Sequence, residues 1–160
     1  MTQLGVFDSG QDGLGSTITA HIYDRTNTAS PLATLTFSPG DPGTLVDGSR
    51  FKDLIDPLHL PDGFQGTIVA EGYGAAEPNG NAGLALPIWI VDPDPAIDFV
   101  GTSRFGTAGL FPGTPDGGGV NQYAAGTFTF AVSTPEPNSV MLWTLLGIVG
   151  MGAERLRRRR

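Results

Sequence analysis

The chain has 160 residues, among them 24 Gly and 13 Pro but no Cys, and 16% of its residues are charged. This length suits one domain and a tail, and without Cys the chain has neither a disulfide framework nor thiol chemistry. Residues 1–134 contain fourteen acids and four bases, a formal net charge of about −10. This charge argues against nucleic acid as a partner and is compatible with divalent cations and with neutral polysaccharide.

Short alternating runs separated by turn residues dominate residues 1–133 and predict an all-β domain. Residues 16–23 are the clearest run. Ile18, Ala20 and Ile22 occupy one face, while His21 lies on the opposite, polar face, where we expect it to be solvated. The other predicted strands are residues 2–7, 32–37, 66–73, 86–91, 97–100 and 127–132.

Two of these runs carry further expectations, and the turns between the runs indicate the fold. Residues 66–73 are apolar enough to be a central strand. The alternation of residues 127–132 directs Phe128, Phe130 and Val132 towards the core. We predict about seven to nine strands in a single jelly-roll-like β-sandwich. The turn sequences, rich in Gly, Pro and Asp, are residues 8–15, 38–43, 60–63, 77–80 and 111–119.

Side chains that suit catalysis are few in this domain. His21 and His59 are the only histidines, and neither stands at metal-ligand spacing or beside an obvious nucleophile, so Ser-His-Asp chemistry has no support. A glycosidase pair of Glu71 with Glu77 or Asp98 needs two carboxyl groups about 5 to 9.5 Å apart in a cleft, which a sequence does not establish. We therefore predict that the protein is not an enzyme.

Acidic loops offer a metal site as an alternative. Asp92, Asp94 and Asp98, and also Asp8 with Asp12, place carboxylates where oxygen ligands converge on Ca²⁺ in other proteins. Their spacing matches no EF-hand or nonapeptide repeat. The competing interpretation is that these aspartates initiate turns and keep sheet edges soluble. No cofactor is expected, and Ca²⁺ is the one candidate ion.

Aromatic side chains offer a second kind of binding site. Tyr73, Trp89 and Tyr123 would stack on sugar rings if they shared one exposed face. Tyr73 lies between two glycines and is predicted to be exposed, whereas Trp89 lies in an apolar run and is predicted to be core. A carbohydrate- or calcium-binding module is therefore the alternative function of the domain, and a polysaccharide-active enzyme is the third.

The C-terminal residues have three physically different parts in a fixed order. Pro135, Glu136 and Pro137 form a rigid element, because each proline lacks a donor and biases its predecessor towards extended geometry. Residues 140–153 are apolar all round a helical wheel, so we predict a short transmembrane helix over residues 139–154. Basic residues then follow, namely Arg155, Arg157, Arg158, Arg159 and Arg160.

The basic residues and the span length predict how this helix sits in a membrane. Arginines beside a span stay on the cytoplasmic side, which leaves residues 1–134 on the other side. The fourteen residues of the run cover roughly 21 Å at about 1.5 Å each, less than a hydrocarbon core of about 30 Å. Such a marginal span suits a segment that is held briefly and then removed. A permanent anchor and a helix docked on the domain are the alternatives.

This tripartite order resembles the PEP-CTERM sorting signal of exopolysaccharide-producing Gram-negative bacteria. The resemblance covers residues 134–160, with the motif at 135–137 and the basic tail at 155–160, and Glu154 at the membrane edge is a mild departure. It implies export and transient anchoring in the inner membrane, with the domain on the periplasmic side. It further implies cleavage near the motif by an exosortase and release to the cell surface or extracellular matrix.

Export also requires an N-terminal signal, yet residues 1–10 have no basic start and no apolar run long enough for one. We therefore expect the natural chain to begin upstream, with a signal peptide before Met1. Residues 1–133 are then an exported domain, similar in residues 4–8 and 58–74 to small extracellular β-sandwich domains. The predicted role is structural or adhesive in exopolysaccharide or biofilm, with an exosortase, the inner membrane and extracellular polysaccharide as partners.

Overall fold

All regular structure in the part of the chain described by the computed structural model is β. The described residues are 1–80, 96–98, 100, 102–117 and 125–132. The prediction of an all-β domain is confirmed for these residues. Their strands are β1 (Gln3–Phe7), β2 (Ile18–Asp24), β3 (Ala33–Phe37), β4 (Thr44–Val46), β5 (Ser49–Asp53), β6 (Gly66–Glu71), β7 (Arg104–Phe105), β8 (Thr114–Pro115) and β9 (Gly126–Thr129).

The strands form three antiparallel sheets. The first sheet has the order β4-β5-β1-β9, the second has the order β3-β2-β6, and β7 pairs with β8. Among the described strands β6 lies at the edge of its sheet and not in the central position predicted for residues 66–73. The central strand is β2, whose residues are buried on both faces, whereas those of β6 are half-buried.

One apolar core joins the two larger sheets. β1 contributes Leu4 and Val6, which are fully buried, and β2 contributes the three apolar residues predicted to share its inner face. Because side chains alternate along a strand, Leu4 and Val6 point to one face of β1, and the three apolar residues of β2 point to one face of that strand. All five side chains belong to the same buried cluster. The buried cluster consists of Leu4, Val6, Leu14, Ile18, Ala20, Ile22 and Phe37.

The predicted strands in the C-terminal half of the domain have mixed outcomes. Phe128 packs against the core and Phe130 is half-buried, but Val132 is 56% exposed, so its predicted inward orientation is wrong. The regular strand ends at Thr129, and alternation no longer governs the residues beyond it. Residues 97, 98 and 100 lie in no strand, contrary to the prediction for 97–100, and the predicted strand 86–91 falls outside the described residues.

The hairpin that joins β4 and β5 was not among the predicted strands. Asp47 and Gly48 form its turn, with φ angles of 45° and 82°. Two successive positive φ angles are the signature of a type I′ turn, and Asp-Gly is a preferred sequence for it. The flanking strands show no clear alternation of apolar and polar residues in the sequence. β4 has only three residues, and β5, Ser-Arg-Phe-Lys-Asp, has a single apolar residue.

Candidate functional site

Most of the predicted functional residues fall outside the part of the chain that the structure describes. These residues are Pro135, Glu136, Pro137, Arg155, Arg157, Arg158, Arg159 and Arg160 of the sorting segment, the candidate Ca²⁺ ligands Asp92 and Asp94, and the aromatic residues Trp89 and Tyr123. In the described ranges no helix is long and apolar enough to cross a membrane. The site is therefore built from the domain.

A fully buried carboxylate, Asp8, begins the loop after β1. Its Oδ2 atom accepts hydrogen bonds from Arg50 Nε at 2.6 Å and from the backbone N–H of Gly13 at 3.2 Å. The other oxygen, Oδ1, is buried and has no hydrogen-bond partner. A carboxylate removed from water needs a charged partner, and Arg50, on the neighbouring strand β5, supplies it.

A second buried carboxylate, Glu77, holds both ends of the same loop. Its exposure is 1%, and its two oxygens accept the backbone N–H groups of Ser9 and Gly15, both at 2.7 Å. The chain passes so closely at Gly15 that an added Cβ would lie 2.2 Å from the carbonyl oxygen of Ala76. Charge-assisted bonds to backbone N–H groups are among the stronger hydrogen bonds in proteins, so Glu77 stabilises the conformation of residues 8–15.

Asp8 and Glu77 are both engaged by groups of the protein itself. In the described residues no group of three or more His, Cys, Asp or Glu side chains is arranged to hold a metal ion. Asp8 is engaged by Arg50, and Asp98, the one described member of its predicted trio, is exposed. Both oxygens of Glu77 accept backbone N–H groups, which gives this residue a structural role.

Tyr73 does not present an exposed ring for a sugar. The side chain packs against the core cluster, and its hydroxyl lies 2.6 Å from the carbonyl oxygen of Ala125 and 3.2 Å from that of Phe7. Burial raises the pKa of Tyr73, and the nearby carboxylates of Glu77 and Asp8 raise it further, while the hydrogen bond to Phe7 opposes them. The prediction of an exposed Tyr73 is wrong, because its hydroxyl tethers β1 to the residues preceding β9.

His21 is buried, in contrast to the predicted solvated position. Its exposure is 9%, its Nδ1 lies 2.9 Å from Thr34 Oγ1, and its Nε2 lies 3.4 Å from Glu71 Oε1. These three side chains belong to the neighbouring strands β3, β2 and β6. The sequence gives no sign of these neighbours, because strand pairing brings Thr34 and Glu71 to the histidine from 13 and 50 residues away.

The β7–β8 segment covers the face of the sheet that carries His21. Glu71 accepts a hydrogen bond from the backbone N–H of Gly109, and the Phe111 ring meets the Tyr23 ring edge-on at 5.5 Å. Arg104 stacks over Phe111 at 5.9 Å. These contacts are made to Glu71 and Tyr23, two neighbours of His21, so the segment covers the surroundings of a residue that would be solvated on an isolated strand.

A groove of about 1220 Å³ lies beside β6 and β9. Exposed apolar residues on its border include Val100, Phe105, Leu110 and Val132, and Asp98 and the exposed His59 also line it. The groove is therefore the described surface on which a ligand would find both apolar area and acidic groups.

Comparison with protein-family models, with curated proteins and with solved structures finds no match to this chain.

Proposed function

We propose that this chain is an exported, non-enzymatic protein that a PEP-CTERM signal delivers to the cell surface or extracellular matrix. One observation carries the proposal: Pro135-Glu136-Pro137, an apolar run and clustered arginines follow one another at residues 135–160. Each part has a physical role, since the prolines keep the motif extended, the apolar run inserts in lipid and the arginines orient it.

The domain is proposed to be a jelly-roll-like β-sandwich. Two antiparallel sheets of four and three described strands share one apolar core, which supports this architecture. The buried carboxylates Asp8 and Glu77 hold a loop, and the described residues thus use acidic groups for structure. A rigid acidic domain without thiols suits a structural or adhesive component of exopolysaccharide or biofilm.

The sequence of events follows from the order of the parts. The helix proposed for residues 139–154 holds the chain in the inner membrane with the domain on the periplasmic side. An exosortase then cleaves near residues 135–137 and the domain leaves the membrane. The marginal length of the apolar run favours this transient state over a permanent anchor.

Intact mass spectrometry of the protein from its native host tests the sorting step. With the exosortase present we expect a C-terminus near residues 135–137, and without it a chain that extends through Arg160. Glu136→Gln should block processing, whereas Glu154→Gln, which changes an acid outside the motif, should not. A C-terminus at Arg160 in both strains would instead identify a membrane anchor and remove the main support for the matrix role.

Ligand binding in the groove is the second candidate function, because exposed apolar residues and acids line that surface. A glycan array, probed with and without Ca²⁺, tests it. Binding that disappears in Phe105→Ala and persists in Ile55→Ala, a 95% exposed residue away from the groove lining, would favour a binding module. Absence of binding under both conditions would favour the structural role.

A further inference from the structure

We propose that Thr34 is an acyl-acceptor site, whose hydroxyl is activated by His21 and Glu71 and takes the acyl group of an activated carboxylic ester. The proposal does not depend on the sorting function. It rests on a hydrogen-bonded chain of a hydroxyl, an imidazole and a carboxylate that crosses the sheet β3-β2-β6. A nucleophile within reach of a base that a third group orients is the arrangement that activates hydroxyl groups in proteins.

Strand register brings the three side chains together. His21 and Thr34 are directly opposite each other in the β2–β3 pairing, and residues that face each other in this way lie on one side of the sheet. Glu71 of β6 pairs with Thr19 of β2, which is two positions along the strand from His21. Glu71 therefore stands diagonal to His21 on the same side of the sheet. The three side chains are aligned by the pairing of the strands and not by a loop, so the sheet holds them rigidly.

The carboxylate determines which nitrogen of His21 serves as the base. An ionised carboxylate only accepts hydrogen bonds, so the nitrogen that faces Glu71, Nε2, carries the proton. Nδ1 of the neutral ring is then the acceptor, and the Thr34 hydroxyl donates to it across 2.9 Å. The lone pair of Nδ1 therefore points at the hydroxyl that is to lose its proton.

Burial differs along the chain of groups in the way that an acceptor site requires. His21 is buried beside Tyr23, on which Phe111 packs, and Glu71 accepts a hydrogen bond from the backbone N–H of Gly109. Thr34, in contrast, is exposed on β3. An ester in solution can reach the hydroxyl, while the base behind it is shielded and held in one orientation.

The proposed step transfers one acyl group without redox chemistry. Thr34 Oγ1 attacks the carbonyl carbon of the ester and its proton passes to His21 Nδ1. The bond between that carbon and the leaving oxygen breaks. The leaving oxygen either takes the proton back from His21 and departs as an alcohol, or departs as a phenolate while His21 releases the proton to water. Glu71 stabilises the imidazolium that forms in between. The product is an ester of Thr34.

Acetylation of the full chain with p-nitrophenyl acetate tests the proposal, with peptide mapping to locate the acetyl group. Hydroxylamine treatment distinguishes acetyl-threonine from acetyl-lysine, since it cleaves the threonine ester and leaves the lysine amide intact. Thr36 is the matched control, because it is exposed on the same face of β3 two residues away. We expect Thr34 to be acetylated about 10² to 10⁴ times faster than Thr36, the range of general-base assistance.

Two variants complete the experiment. Thr34→Val should abolish the hydroxylamine-sensitive acetyl group, and His21→Gln should reduce acetylation of Thr34 to the rate of Thr36, with thermal unfolding used to check that the variant is folded. Equal rates at Thr34 and Thr36 in the wild-type chain would overturn the proposal even if His21→Gln does not fold. Fast acetylation of Thr34 that persists in folded His21→Gln would overturn it as well.

Discussion

At the scale of single residues, the two cations of β5 have different energetic roles although they face the same side of the strand. Arg50 binds Asp8, whose side chain is fully buried, whereas Lys52 binds Asp41, whose side chain is 77% exposed. Exposed ion pairs contribute about 0 to 1 kcal/mol, while loss of one partner from a buried pair leaves an uncompensated charge. Of these two cations, Arg50 thus contributes more to the stability of the fold.

Replacement of these two cations by Met tests this difference. We expect Arg50→Met to lower the free energy of unfolding by about 3 to 5 kcal/mol, and Lys52→Met by about 1 kcal/mol or less, in urea titrations. Asp8→Asn combined with Arg50→Met should recover part of the larger loss, because the double variant no longer buries a charge. Equal losses for the two Met variants would show that Asp8 is not buried as a carboxylate.

Tyr73 should make stability depend on alkaline pH. Burial raises its pKa in the folded protein above the usual value of about 10 that it has in the unfolded chain. Its contribution to stability is complete below about pH 10 and decreases as the pH rises further, because only the unfolded chain then releases the phenolic proton. Urea midpoints measured from about pH 8 to pH 11 should fall more steeply for the wild type than for Tyr73→Phe. Parallel curves would contradict a buried phenol.

At the scale of elements, the turn between β4 and β5 requires glycine at one position. Gly48 has a φ of 82°, a conformation that costs residues with a Cβ about 1 to 2 kcal/mol. Gly48→Ala should therefore lower the free energy of unfolding by that amount. Gly40→Ala is the control, since Gly40 has no positive φ and an added Cβ would meet no atom within 4 Å. Similar losses for both variants would argue against the type I′ turn.

The elements that the sequence predicted share strong local patterns. Alternation identified β1, β2, β3, β6 and β9, because apolar residues that recur every second position have a clear period. Four strands were not predicted. β4 is short, and β5 places Arg50 and Lys52 on its inner side. The two-residue strands β7 and β8 are too short to show any period. The burial of His21 also could not be predicted, because its neighbour Glu71 and the Phe111 ring that packs on Tyr23 both lie far along the chain.

At the scale of the whole molecule, charge is divided between the domain and the tail. Residues 1–134 carry about −10, whereas the complete chain carries −7, because five of its nine basic residues follow residue 154. Processing at the proposed motif therefore changes net charge as well as length. An acidic domain released from its basic tail repels other copies of itself and stays soluble.

Anion-exchange chromatography should detect this change of charge. The processed protein should elute at higher salt than the unprocessed chain, because removal of the arginines leaves the acids of the domain uncompensated. A variant with Gln at all five arginine positions is the matched control, since it should elute late at full length and so separate the effect of charge from that of mass. Co-elution of the processed and unprocessed forms would contradict the prediction, because it would mean that the tail arginines do not offset the acids of the domain.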